Sequence, residues 1–204
     1  MSRAIPAVSS SGRDTFPIAL SPQELARLMA SFAGERETED RDYAVLLCLA
    51  RLGLRAAEVA QLKLDDINWR ASALRLMQTK GRRERQLPIS TEVGRALAVY
   101  LKHGRPSTSA RAVFVSLSNG SPMSPDGISR IVTRALKRAG ITSRRGSHLL
   151  RHTAASHLVQ RGASLKAVAD LLGHSDLSTT QIYAKVNLPL LRKVAMHWPR
   201  EVQI

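Results

Sequence analysis

Apolar residues recur at helical spacing along most of the chain and alternate with polar ones only near its middle. Residues 1–20 follow neither pattern; Pro6, Gly12, Pro17 and the run Ser9-Ser10-Ser11 predict a linker or arm. Ser21-Pro22-Gln23-Glu24 then sets an N-cap, a proline in the first turn and a glutamate at the third helical position. That is a capping box, and it predicts a helix to about residue 30. Val45, Leu46, Leu49 and Leu52 mark a second helix ending at Gly53, and residues 56–62 predict a short third. Residues 73–79 alternate as a strand whose partner is expected at 86–89, with a heavily charged turn, Lys80-Gly81-Arg82-Arg83-Glu84-Arg85, between them. Ser90 caps a predicted helix to about residue 103, a short strand is expected at 112–115, and Ser124-Pro125 opens a helix that Gly140 stops. Further helices are predicted at 148–161, 165–172, 178–184 and 188–196. The expected fold class is α+β, mainly helical, with a small antiparallel β-sheet.

The 204 residues suit one domain with a short appendage, and a hydrophobic content of 44% excludes a wholly disordered chain. No apolar run approaches the ~18 residues of a membrane span, and the first residues lack the apolar core of a secretory signal. A single cysteine, Cys48, rules out a disulfide within the chain and fits a reducing, cytoplasmic setting. Charge changes the picture more. The net charge of +15 is distributed as −2 over residues 1–50, then +5, +8 and +4 over 51–100, 101–150 and 151–204. A basic field concentrated downstream of residue 51 points to a polyanion, most simply nucleic acid. Aromatic residues make up 4%, which disfavours a platform for stacking unpaired bases and favours the backbone of double-stranded DNA. No segment reads as membrane-binding. Arg82, Arg83, Arg144 and Arg145 are candidate DNA-binding residues, with solvated loop charges as the plain alternative.

Six residues suggest chemistry, and each also has an ordinary reading. Arg55 follows Gly53 and precedes Glu58 by three, which a surface Arg–Glu pair would also explain. Lys80 sits at the tip of the predicted hairpin, where most lysines are simply solvated. His148 and Arg151 are three apart on a predicted helix, so they share a face suited to a phosphate. His148 and His152 also have i, i+4 spacing, but Leu149 stands where a zinc-hydrolase motif needs glutamate, so no metal is expected. His174 follows a helix-ending glycine, where a cation is favoured anyway, and Tyr183 could be a core residue.

Taken together, two arginines, two histidines, a lysine and a tyrosine suit transesterification at a phosphodiester. Arg55 and Arg151 would offset the charge of a pentacoordinate phosphorane. Tyr183 would be the nucleophile, with His148 as its base, because only ~0.1% of a free tyrosine is ionised at pH 7. Lys80 would protonate the departing 5′ oxygen, and His174 would donate a hydrogen bond to the phosphate. The guanidinium groups supply the positive charge, so no cofactor or metal is implied.

From about residue 21 to 194 the sequence resembles the catalytic domain of the tyrosine recombinases, the phage integrase family. Arg55 in GLRAAEV, Lys80 in TKGRRERQLPI, His148, Arg151 and His152 in SHLLRHTAASH, His174 in LLGHSDLSTT and Tyr183 in TTQIYAKV match the family's motifs in order, with Tyr183 nine residues after His174. The resemblance implies a site-specific recombinase or integrase. Such an enzyme cuts one strand at a time through a 3′-phosphotyrosyl intermediate, without ATP or metal, and its working unit is a homo-oligomer, a tetramer on synapsed DNA with a monomer as the free state. It also implies a division into an arm at 1–20, a catalytic domain at 21–186 and a C-terminal helix and tail at 187–204. Family members usually carry a helical DNA-binding domain of roughly one hundred residues ahead of the catalytic domain. Here about twenty residues precede Ser21, so an excised domain, a truncated product and a short single-domain member all stand as expectations. Two other functions share these features: a DNA-binding regulator or remnant without strand-exchange activity, and a DNA-relaxing enzyme of the type IB topoisomerase kind.

Overall fold

The computed structural model describes residues 19–32, 37–77, 84–142 and 146–172. Helix α1, Pro22–Ala30, starts as its sequence dictates: Ser21 Oγ accepts from the Glu24 amide at 3.2 Å, and Glu24 Oε2 accepts from the Ser21 amide at 2.8 Å. Just before it, the buried Leu20 donates its amide to Thr153 Oγ1 at 2.9 Å, and that hydroxyl donates to the Leu149 carbonyl at 2.8 Å. The start of the described chain is thereby pinned to a helix 133 positions away.

Helix α2, Glu37–Arg51, is the central post. Every residue from Ala44 to Ala50 is buried, so it is covered on all sides rather than along one stripe. Cys48 lies in this run, and burial pushes its thiol up to about 12, which leaves it a packing residue. Helix α3, Ala56–Gln61, and a single 3₁₀ turn, Leu64–Asp66, lead into the sheet. Strands β1 (Ile67–Asn68), β2 (Ala73–Met77) and β3 (Glu84–Pro88) form an antiparallel sheet in that order, with Leu74 opposite Leu87 and Leu76 opposite Arg85. Leu74, Leu76 and Leu87 turn inward, as period-two alternation requires. Helices α4 (Thr91–Val99), α5 (Pro125–Arg138), α6 (Ser147–Gln160) and α7 (Leu165–Leu172) complete the described residues. α4 and α6 pack on α2, and α7 packs on α6 through Ala155, Val159, Val168 and Leu172.

Four details differ from expectation. Glu84 and Arg85, expected in the charged turn, pair with Met77 and Leu76 as the first residues of β3. The helix predicted to run to about residue 103 changes to a π-helical turn over Tyr100–Gly104. Tyr100 is fully buried there, stacked 5.5 Å from Phe114, with its hydroxyl accepting from the Val115 amide at 3.3 Å, so tertiary contacts set the wider turn. The strand expected at 112–115 is instead two isolated bridges, Lys63 with Ala112 and Val115 with Pro122, because the segment changes partner midway. β1 was not foreseen; two residues carry no periodic signal. No helix among the described residues is long and apolar enough to cross a membrane.

Candidate active site

The site is assembled where three chain segments meet on Glu58. Past the end of α2, Gly53 adopts φ +64°, in the left-handed region that favours glycine. A Cβ here would lie 2.5 Å from Leu172 Cδ2, so the buried Leu172 side chain would have to shift to admit one. The reversal makes Arg55 the N-cap of α3. Glu58, at the third position of that helix, accepts from the Arg55 amide through Oε2 at 2.8 Å and from Arg55 Nη1 through Oε1 at 3.0 Å. The Arg–Glu pair foreseen from the sequence therefore exists, and it both caps a helix and holds a candidate catalytic arginine.

Arg151 comes from the first half of α6 and is 5% exposed. Its Nη1 donates to the Gly53 carbonyl and its Nη2 to the Leu172 carbonyl, both at 2.6 Å. Nη1 also stands 3.9 Å from Glu58 Oε2. Arg55 and Arg151 are thus brought together, but unequally: the Arg55 side chain is 39% exposed, while that of Arg151 is 6% exposed. Arg151 organises the end of α2 and the end of α7 as well as the site.

Arg85 is a further member of the cluster, with no motif of its own in the sequence. It stands opposite Leu76 in the sheet and shares the parity of Leu87, so it faces inward. Its Nη2 donates to Glu58 Oε2 at 2.9 Å, and its Nη1 donates to the Leu171 carbonyl at 2.7 Å. Burial pulls its guanidinium below the usual value and the Glu58 carboxylate opposes that shift. The available signal was a cation at an inward strand position, which requires a buried partner. One carboxylate is therefore ringed by three guanidinium groups, leaving a net positive charge suited to a phosphate.

His148 is exposed on α6, three residues before the buried Arg151, while Leu149 and Leu150 between them turn into the core. His152 is partly buried; burial, then the neighbouring His148 and Arg151, lower its pKa. No group of three or more His, Cys, Asp or Glu side chains converges among the described residues. Lys80, Arg82, Arg83, Arg144, Arg145, His174 and Tyr183 lie outside the described residues, as do residues 1–18 and the helices expected at 178–184 and 188–196.

Residues 19–188 match the model of the phage integrase family. The chain belongs to the phage integrase family. Among its relatives, an integrase/recombinase named y4rA from Sinorhizobium fredii is 42% identical over all of this chain and 50% of its own length. The tyrosine recombinase XerC of Lacticaseibacillus casei is 35% identical, over 86% of this chain and 60% of its own length. The chain thus spans about half to three fifths of these two relatives. The crystal structure of XerA recombinase superposes with a TM-score of 0.78 at 30% identity, covering 92% of this chain and 67% of that one. A XerH recombinase bound to its difH substrate in a post-cleavage complex gives the same TM-score at 23% identity, over 93% of this chain and 56% of that one, and so shares the fold. The expected mainly helical α+β class with a small antiparallel sheet agrees with these structures.

Proposed function

We propose that the chain is a tyrosine-type site-specific DNA recombinase or integrase and that residues 21–186 are its catalytic domain. One observation carries the reading: Arg55 and Arg151, from segments far apart in sequence, converge on Glu58 at the carboxyl end of α7, two residues before His174 in sequence. Family membership and the ordered motifs support it.

In this mechanism the scissile phosphate of double-stranded DNA lies against the arginine cluster. The Tyr183 oxygen attacks phosphorus while its proton passes to His148, and a 3′-phosphotyrosyl bond forms. The bond from phosphorus to the 5′ oxygen breaks, and Lys80 supplies the proton that the departing oxygen takes up. Excess positive charge around Glu58 opposes the negative charge that builds on the phosphorane, and His174 donates to the same phosphate. A 5′ hydroxyl from a partner duplex then attacks the phosphotyrosine and frees Tyr183, so the bond energy is conserved. Strand exchange is assigned to a tetramer on two duplexes. Arg82, Arg83, Arg144 and Arg145 are assigned to the DNA backbone, and residues 187–204 to a C-terminal helix and tail.

The test is covalent trapping on a pool of nicked duplexes of randomised sequence, in which the short fragment 3′ to the cut diffuses away. The intact chain should form a detergent-resistant protein–DNA adduct and Tyr183→Phe should form none. An adduct with Tyr183→Phe removes that residue from the role. Duplex binding without any adduct from the intact chain would favour a DNA-binding regulator.

A further inference from the structure

We infer that Arg85 is a positioning residue that fixes the carboxyl end of α7, two residues before His174 in sequence, to Glu58. The inference rests on the recombinase reading for its link to catalysis, but its geometric content stands alone.

The last four carbonyls of a helix have no partner within it. At α7 two of these, Leu171 and Leu172, are taken by arginines from elsewhere: Arg85 Nη1 at 2.7 Å and Arg151 Nη2 at 2.6 Å. Cations at this end also suit the helix dipole. The other arm of the Arg85 fork reaches Glu58 Oε2 at 2.9 Å, the same oxygen that accepts from the Arg55 amide. Arg85 thereby spans β3, the amino end of α3 and the carboxyl end of α7 with one rigid group. Its side chain is 10% exposed, and its Nε is buried without a hydrogen-bond partner among the described residues. Such a buried cation is retained at a desolvation penalty, and a salt bridge alone is a weak reason to keep it. Its two contacts, however, converge on the amino end of α3, where Arg55 stands, and on the carboxyl end of α7, two residues before His174 in sequence. Lysine cannot substitute, because a single ammonium does not reproduce a planar fork.

Arg85→Gln and Arg85→Lys provide the test, read first by amide hydrogen exchange and then by cleavage of the nicked duplexes. Exchange over residues 168–172 should quicken by about tenfold or more in both variants, with α2 unchanged. At saturating DNA the rate of adduct formation should fall by about 10- to 100-fold, as expected for a misplaced group, while duplex affinity stays within about twofold. Arg85→Lys keeps the charge facing Glu58 and serves as the folded control should Arg85→Gln not fold. Unchanged exchange over 168–172 in Arg85→Lys overturns the inference whether or not the intact chain cuts DNA. A rate loss matched by an equal loss of affinity also overturns it, because that is the behaviour of a DNA contact. If the intact chain forms no adduct while the exchange effect appears, the recombinase reading fails and the positioning role of Arg85 stands.

Discussion

Arg151 donates from Nη1 to the carbonyl oxygen of Gly53 across 98 positions of sequence, at 2.6 Å. The bond needs the left-handed turn at Gly53, and the turn needs a residue without Cβ beside Leu172. Gly53→Ala should therefore combine backbone strain with a clash and destabilise the domain by about 2–4 kcal/mol. Gly140→Ala is the matched control: φ is +72° there with nothing within 4 Å of the added Cβ, so only about 1 kcal/mol of strain is expected. Urea unfolding midpoints of the two variants compare the terms directly.

Arg151→Lys should fail on two counts. Two carbonyls lose a forked donor, which weakens folding by about 2 kcal/mol. Adduct formation should also fall by more than about a hundredfold, as when one preorganised donor is taken from a transition state. Near-normal cleavage by this variant would contradict the assignment of Arg151 to the phosphate.

Lys80→Ala separates proton donation from phosphate binding. Cleavage of ordinary DNA should drop sharply, and cleavage of DNA with sulfur at the 5′ bridging position should drop much less, because a thiolate leaves without a proton. Equal losses on both substrates would assign the acid to another group.

The histidines give stability a pH dependence of definite sign. Burial is the first cause lowering the pKa of both His152 and His157 in the folded chain below the usual 6.5. The unfolded chain then takes up protons first as pH falls, so stability is full above about pH 6.5 and declines below it, through the lowered folded values. Unfolding midpoints from pH 7.5 to 5.5 should fall, and His152→Gln should flatten the decline. An unchanged slope in that variant would mean that His152 carries none of it.

Duplex binding should be governed by salt. With +17 net charge on residues 51–204, about six neutralised phosphates would give a slope near −5 for log affinity against log salt. Filter binding between 50 and 200 mM salt measures it, and a slope near zero would turn the basic surface away from DNA.

The sequence patterns were most informative where a single period or cap dominates. Ser21 and Glu24 announced α1, and Gly53 announced the end of α2, because these signals are local and chemically specific. Arg55, His148 and Arg151 are candidates through their motifs, but the burial of Arg151 is not legible there. The 5% exposure of Arg151 comes from packing against the ends of α2 and α7, which no window of sequence contains. Glu58 was visible only as the partner of Arg55; its share in Arg85 depends on strand register. Arg85 was concealed by the charged turn beside it, where parity with Leu87 was the sole clue. The π-helical turn at Tyr100 reflects Phe114 and Val115, again distant in sequence.

The bond from the Leu20 amide to Thr153 has a mechanical consequence. Leu20 precedes α1, and Thr153 stands two residues past Arg151 on α6. A pull at Leu20 therefore bears on α6 as well as on α1. Upstream tension is thus shared with the helix that bears His148 and Arg151.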